Sequence, residues 1–186
     1  MKIVLNRLLK IDPEDIVKGK LVIPEGLTEI ATGSLKNYYD LQEVDMPDSL
    51  KVIGEKTFFD CERLKTVKFS KNLEAIKEDA FGKCFSLKDI TLPDSIKEIQ
   101  KGAFYSCDSL QSINIPKSLK KIEKMAFSYC NELDNIFIPE NIETIGDSAF
   151  YSCKGLNNVQ IAEGVKNIDT FAFSSCGQLS NINIPS

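Results

Sequence analysis

The sequence predicts a solenoid of stacked coils, because one motif returns at a fixed interval along most of the chain. A phenylalanine recurs every 23 residues, and a cysteine follows each one three positions later. The phenylalanine column is Phe58, Phe81, Phe104, Phe127, Phe150 and Phe173, and the cysteine column is Cys61, Cys84, Cys107, Cys130, Cys153 and Cys176. Apolar and polar residues alternate ahead of each motif, which is typical of a strand with one buried face. These observations together predict repeats that each pack only on their neighbours.

Residues 1–20 do not carry the repeat, and their pattern predicts a short helical cap. Apolar residues at helical spacing form a stripe within the first eleven positions. Asp12 and Pro13 are typical of a helix start, and Gly19 of a helix end. We expect this segment to cover the open edge of the first repeat. The alternative is an amphipathic helix that binds a partner.

The repeat domain is predicted to run from residue 21 to residue 186. The inward pairs of its strands are Val44/Met46, Val67/Phe69, Ile90/Leu92, Ile113/Ile115, Ile136/Ile138, Val159/Ile161 and Ile182/Ile184. Proline cannot donate to a strand ladder, so it is expected to end five strands, at Pro47, Pro93, Pro116, Pro139 and Pro185. A second inward set is expected on the far wall, at Leu50/Ile53, Leu73/Ile76, Ile96/Ile99, Leu119/Ile122, Ile142/Ile145 and Val165/Ile168.

One complete unit, residues 110–132, reads L-Q-S-I-N-I-P-K-S-L-K-K-I-E-K-M-A-F-S-Y-C-N-E. This unit resembles the leucine-rich repeats, and in particular the 23-residue BspA-like, or treponemal-type, class. The resemblance covers about seven repeats and implies a leucine-rich-repeat right-handed solenoid with a parallel β-sheet on its concave face. It also implies short strands and helical turns on the convex face. The first unit departs from the pattern, with Leu35 in place of phenylalanine and Tyr38 in place of cysteine.

Composition argues against several functional classes. The net charge of −4 argues against nucleic acid as the main partner, because phosphate binding needs a basic surface. The chain has no histidine, which removes the commonest general base and the common nucleophilic dyads. We therefore expect no enzymatic activity, no catalytic residues and no cofactor. No apolar run reaches the roughly 20 residues of a membrane span, so membrane insertion is not expected, and no signal peptide is recognisable.

The cysteines allow three interpretations, namely disulfides, a metal site or free thiols. One inward-facing cysteine per coil fits a small buried side chain in the core. Side chains that point in parallel suit disulfide geometry poorly, and the C-x-x-C spacing of zinc sites is absent. We therefore expect free buried thiols and no metal.

A second aromatic column lies directly after the phenylalanine column and is predicted to be on the outer wall. Phe59, Tyr105 and Tyr151 alternate there with the small residues Gly82, Ser128 and Ser174. Tyr129 is the one aromatic residue of the next column. Alternation of large and small residues between stacked coils is typical of interdigitated packing, which we favour over a binding site.

The concave face carries the candidate binding site. Its outward positions are charged in the early repeats and uncharged, with several amides, in the later ones. Phe137 is expected to be exposed among those amides, and an aromatic residue ringed by polar groups is typical of an interface hot spot. The predicted binding residues are Asn114, Asn135, Phe137, Asn158, Gln160 and Asn183. The alternative is that Phe137 is there only as a good strand former.

The leading functional hypothesis is a non-enzymatic module that binds a protein through its concave face. The resemblance implies a microbial surface, secreted or host-translocated protein with a host or matrix protein as partner; the compartment itself is not determined. A glycan-binding face and a structural spacer for a further domain are the alternatives.

Residues 181–186 complete a strand with no polar capping repeat after it. We therefore expect the chain to continue or another chain to cover this end, including by end-to-end self-association.

Overall fold

The computed structural model describes residues 1–184 and shows a parallel β-solenoid. In chain order its strands are β1 (Lys2–Val4), β2 (Arg7–Lys10), β3 (Ile16–Val17), β4 (Lys20–Val22), β5 (Glu29–Ile30), β6 (Glu43–Asp45), β7 (Val52–Ile53), β8 (Thr66–Lys68), β9 (Ala75–Ile76), β10 (Asp89–Ile90), β11 (Glu98–Ile99), β12 (Ser112–Ile113), β13 (Lys121–Ile122), β14 (Asn135–Ile138), β15 (Thr144–Ile145), β16 (Asn158–Ile161), β17 (Asn167–Ile168) and β18 (Asn181–Asn183). A single turn of 3₁₀ helix spans Pro13–Asp15. The predicted solenoid is thereby confirmed.

Each coil contributes one strand to the concave face and one to a second wall. The concave strands are β4, β6, β8, β10, β12, β14, β16 and β18. They pair in parallel as β4–β6–β8, β10–β12 and β14–β16–β18, so this surface consists of three hydrogen-bonded blocks. On the second wall, β2–β5–β7–β9–β11 and β13–β15–β17 form two further parallel ladders. Val44 pairs with Val67 and Ile136 with Val159, so neighbouring coils are in register at the repeat length.

The N-terminal segment differs from the predicted helical cap. Strands β1 and β2 form an antiparallel hairpin, and Leu5 and Asn6 at its tip both have positive φ. Strand β2 then pairs in parallel with β5, which places Leu8 in the core beside Ile30. The helix expected there is wrong because pairing with the first coil satisfies the backbone groups of that open edge, which a helix would leave unpaired.

The second predicted helix is reduced to the one 3₁₀ turn. Asp12 precedes it, as expected, and accepts a backbone hydrogen bond of 2.9 Å from Asp15. Gly19 ends no helix. It has a φ of 80° in the turn between β3 and β4, which form a second antiparallel hairpin. Both N-terminal hairpins use two successive positive-φ residues, the geometry that matches the twist of a tight hairpin.

The convex wall consists of tight turns around the phenylalanine–cysteine motif, with no α-helix in residues 1–184. In one such turn, the N–H of Cys61 donates to the carbonyl of Phe58, three residues earlier. The N–H of Phe58 itself donates to the carbonyl of Ala80 on the next coil, over 2.8 Å. Successive N–H groups thus alternate between closing the turn and bonding to the next coil. The backbone hydrogen-bonding groups are satisfied in this way without a helix.

The core is a column of stacked aromatic rings. Consecutive phenylalanines from Phe58 to Phe173 lie 5.0–5.6 Å apart between ring centroids, and their planes differ by at most 14°. The column is fully buried from Phe58 to Phe150 and half-buried at Phe173. Pro185, predicted to end a strand, lies outside the described residues.

Candidate functional site on the concave face

Phe137 lies at the centre of the candidate site because the alternation of β14 directs it outward. Its neighbours Ile136 and Ile138 are buried, whereas 56% of Phe137 is exposed. The parallel register places Gln160 beside Phe137, and Asn183 beside Gln160. Asn135 and Asn158 form the adjacent row of the same block. The structure thus brings five of the six predicted residues together on β14, β16 and β18.

Two open hollows flank the ring of Phe137. The first is lined by β16 and β18, including Asn158, Gln160 and Asn183. The second lies toward β10 and β12, where Thr91, Ser112 and Asn114 line it. The ring therefore projects between two hollows and is accessible from both sides. Thr91 and Ser112 belong to this site although they were not predicted; their positions in the two outward columns of the strands were the available signal.

The second hollow coincides with a break in the concave sheet. Strands β12 and β14 belong to different hydrogen-bonded blocks, although they are successive along the solenoid. The sixth predicted residue, Asn114, lies on the far side of this break. Phe137 thus lies on the edge strand of its block, with β16 on one side and no hydrogen-bonded strand on the side of the second hollow.

Two of the predicted amides are already engaged by the backbone. Oδ1 of Asn114 accepts from the N–H of Leu92 over 2.7 Å, and its Nδ2 donates to the carbonyl of Leu92 over 2.8 Å. Asn183 makes the same pair of bonds to Ile161, at 2.8 and 2.9 Å. These two side chains replace main-chain ladder bonds between coils, so they contribute to the shape of the site more than to ligand contacts.

The other predicted amides differ in their freedom. Asn135 donates to the carboxylate of Asp134. Within residues 1–184, the side-chain amides of Asn158 and Gln160 make no hydrogen bond, so both can donate to and accept from a partner. The centre of the site is therefore an aromatic ring with two unengaged amides beside it.

At the outward strand positions of the concave face, the charged residues lie between Lys20 and Asp89, in the first half of the solenoid. Lys20 lies 2.8 Å from a carboxylate oxygen of Asp45 and 3.7 Å from one of Glu43. The hydrogen bond to Asp45 is the main reason that the pKa of Lys20 is raised. No charged residue lines the first hollow. Asp94 and Lys117 line the second hollow. The surface beside Phe137 is therefore neutral on the side of the first hollow and charged on the far side of the second.

The cysteine column lies inside the solenoid and makes a regular set of weak hydrogen bonds. Each thiol donates to a carbonyl of the preceding coil, and Cys107 Sγ, for example, lies 3.2 Å from the oxygen of Phe81. All six cysteines are free, five of them buried and Cys176 half-buried. Burial raises the pKa of the Cys61 thiol to about 12 and that of the others above the usual value. In the described part of the chain no cluster of histidine, cysteine or carboxylate groups can hold a metal ion.

We expect the buried thiols to be unreactive in the folded protein. A thiol must be both deprotonated and accessible to attack a disulfide reagent, and burial opposes both. With dithiobis(nitrobenzoic acid) at pH 8, Cys176 should react first and the other five only as fast as the protein unfolds. Full reaction of all six in urea is the control. Rapid native reaction of Cys107 would contradict the buried arrangement.

No helix among the described residues has the length and apolar character needed to cross a membrane.

Comparison with solved structures agrees with this geometry. A leucine-rich repeat protein of T. pallidum is 30% identical, with a TM-score of 0.83, over 87% of this chain and 78% of that chain. A leucine-rich cell surface protein of Faecalibacterium prausnitzii is 27% identical, with a TM-score of 0.60, over 87% of this chain and 58% of that chain. A search of curated proteins gave no significant match.

The family model for the BspA type leucine-rich repeat region matches six copies, over residues 18–110 and 74–186. These two ranges cover both N-terminal and C-terminal coils, and they include every phenylalanine and cysteine of the repeat. A leucine-rich-repeat fold indicates a protein-interaction module. The chain belongs to the BspA-type leucine-rich-repeat family.

Proposed function

We propose that the protein is a non-enzymatic binding module whose contact surface is the concave centre around Phe137, Asn158 and Gln160. The observation that carries this proposal is the exposed ring of Phe137 between two hollows. An exposed aromatic residue of this kind has apolar area to bury, and the neighbouring amides supply directional hydrogen bonds. The partner we propose is a protein of a host or of its extracellular matrix. The cell-surface description of the F. prausnitzii relative supports that choice.

The first experiment is a pull-down from host-cell lysate and matrix proteins with wild type and Phe137→Asp in parallel. A protein retained by wild type and lost by Phe137→Asp supports the proposed site. Treatment of the target with glycosidases separates a protein partner from a glycan. A partner held equally by both forms would contradict the concave centre, and loss after glycosidase treatment would contradict a protein partner.

For the partner identified in this way, we expect Phe137→Ala to weaken binding by about 2 kcal/mol, or roughly 30-fold in Kd. The reason is that the ring would be fully desolvated at the centre of the interface. Surface plasmon resonance with immobilised partner measures the effect. Tyr39→Ala is the matched control, because Tyr39 is 50% exposed on a different part of the molecule. Equal losses in both variants would contradict a localised hot spot.

A further inference from the structure

Three lysines lie together on the concave face, three coils before Phe137. Lys68 ends strand β8, Lys65 directly precedes that strand, and Lys88 directly precedes β10. All three side chains are exposed. They lie outside both hollows that flank the ring of Phe137. We call these three residues the lysine cluster.

The positive charge of the cluster is not neutralised within the chain. Among residues 1–184, none of the three amino groups forms an ion pair with a carboxylate, and the amino group of Lys65 contacts the neutral amide oxygen of Gln42 at 3.3 Å. Lys65 and Lys88 are equivalent residues of neighbouring coils, and the N–H of Lys88 donates to the carbonyl of Lys65 over 3.4 Å. Two like charges therefore adjoin, which is unfavourable between neighbouring strands. An anionic group of a partner would relieve this repulsion.

The carboxylates of the same strands are engaged by other groups. Asp45 lies beside Lys68 in the strand register, but its ion pair is with Lys20, at 2.8 Å. Asp89 accepts a hydrogen bond of 2.9 Å from the hydroxyl of Ser112. Neither carboxylate forms an ion pair with the cluster. The three amino groups are therefore free to bind carboxylates of another molecule.

Charged residues on the second wall are arranged differently. The carboxylate of Glu74 lies 3.4 Å from the amino group of Lys51 on one neighbouring coil and 2.8 Å from that of Lys97 on the other. Lys166 and Glu143 likewise pair at 2.8 Å between coils. Such pairs link neighbouring coils, so the fold itself accounts for them. The lysine cluster links no coils through its charges, and its positive charge has no such role in the fold.

The cluster is close enough to Phe137 for one partner to contact both. Lys68 and Phe137 belong to the same outward column of the repeat, with Thr91 and Asn114 between them. Neighbouring strands of a sheet lie about 4.8 Å apart, so three coil steps separate the two residues by about 14 Å along the solenoid. A standard protein interface buries about 800 Å² on each partner, which is wide enough to cover this distance.

We propose that the partner is a protein with an acidic patch, whose carboxylates bind the lysine cluster while an apolar side chain beside that patch packs on Phe137. This inference rests on the proposed function, because it assigns a chemistry to the partner of the same face. Carboxylates fit the cluster better than nucleic-acid phosphates do, because it contains no arginine, Asp89 adjoins it and the chain has a net charge of −4. Complementary charge of this kind speeds association and selects among partners.

The test selects peptides from a phage-displayed library of random dodecapeptides on the immobilised chain. An extended peptide advances about 3.3 Å per residue, so a dodecapeptide can reach from the cluster to Phe137. We expect the enriched peptides to combine aspartate or glutamate with an aromatic or aliphatic residue. Selection on a triple variant with Lys65→Gln, Lys68→Gln and Lys88→Gln should lose the acidic preference. Selection on Phe137→Ala should lose the apolar preference.

Fluorescence anisotropy with the most enriched peptide then measures the contribution of charge. At low ionic strength the triple variant should bind this peptide roughly 10-fold more weakly than wild type. The difference should shrink at about 0.5 M NaCl, because salt screens exposed charges. Lys120→Gln is the matched control, since Lys120 is exposed beside β13 on the second wall, and it should leave the affinity unchanged.

The outcomes separate this inference from the proposed function. Peptides without acidic residues that bind the triple variant as well as wild type, but not Phe137→Ala, would overturn the inference and leave the proposed function standing. Acidic peptides that bind Phe137→Ala as well as wild type would overturn both. The inference also fails if no peptide is enriched over a blank surface, or if the lysine cluster binds heparin and no acidic peptide.

Discussion

Phe104→Ala is expected to lower the free energy of unfolding by about 3–5 kcal/mol. Phe104 is fully buried and stacks on Phe81 at 5.3 Å and on Phe127 at 5.6 Å. Its removal takes apolar area from the core and leaves a cavity between two rings that the backbone ladders hold apart. Urea unfolding followed by circular dichroism measures the change.

Phe173→Ala is the matched control for this loss. Phe173 occupies the same position in the repeat but is half-buried and stacks on Phe150 alone among the described phenylalanines. We expect its truncation to cost less than half as much, because less area is returned to water and the cavity opens to solvent. Equal losses at the two positions would show that the continuity of the aromatic column does not determine stability.

Gly54→Ala is expected to destabilise the protein by about 1–3 kcal/mol, although it adds a single methyl group. A Cβ at Gly54 would lie 2.5 Å from the carbonyl oxygen of Ile30 and 2.7 Å from the backbone nitrogen of Thr32. Both are main-chain atoms of the neighbouring coil. Gly54 also donates its own N–H to that Ile30 oxygen over 2.8 Å. The coils must therefore separate locally to admit the methyl group.

Gly177→Ala separates steric crowding from the general effect of replacing glycine. A Cβ at Gly177 meets no atom within 4 Å, and its backbone is not in the positive-φ region. Reduced freedom of the unfolded chain should make this variant neutral or more stable by up to about 1 kcal/mol. Thermal unfolding of both alanine variants tests the contrast. A similar loss at Gly177 would contradict the steric explanation for Gly54.

The repeat pattern predicts some features of the candidate site and not others. Strict alternation around Ile136 and Ile138 was enough to predict that Phe137 faces outward, because side chains on a strand alternate between its two faces. The same pattern did not predict that Asn114 and Asn183 bond to the backbone of the preceding coil. Whether a side-chain amide bonds to the neighbouring backbone depends on the local geometry of two adjacent coils, which the repeat pattern does not specify.

The sequence by itself determined the solenoid, its period and most of the inward columns, because identical spacing in every repeat leaves one way to stack apolar positions over each other. The predicted inward residues Ile168, Ile182 and Ile184 are instead 38%, 39% and 65% exposed, because no further coil covers them among the described residues. Only the tertiary structure decided the N-terminal segment. Its apolar residues fit a helix or a hairpin, and Leu8 becomes buried because β2 completes the ladder beside β5. Likewise, the convex turns are not helical because alternate N–H groups bond to the next coil. In both places, hydrogen bonds between distant residues outweigh local helical preference.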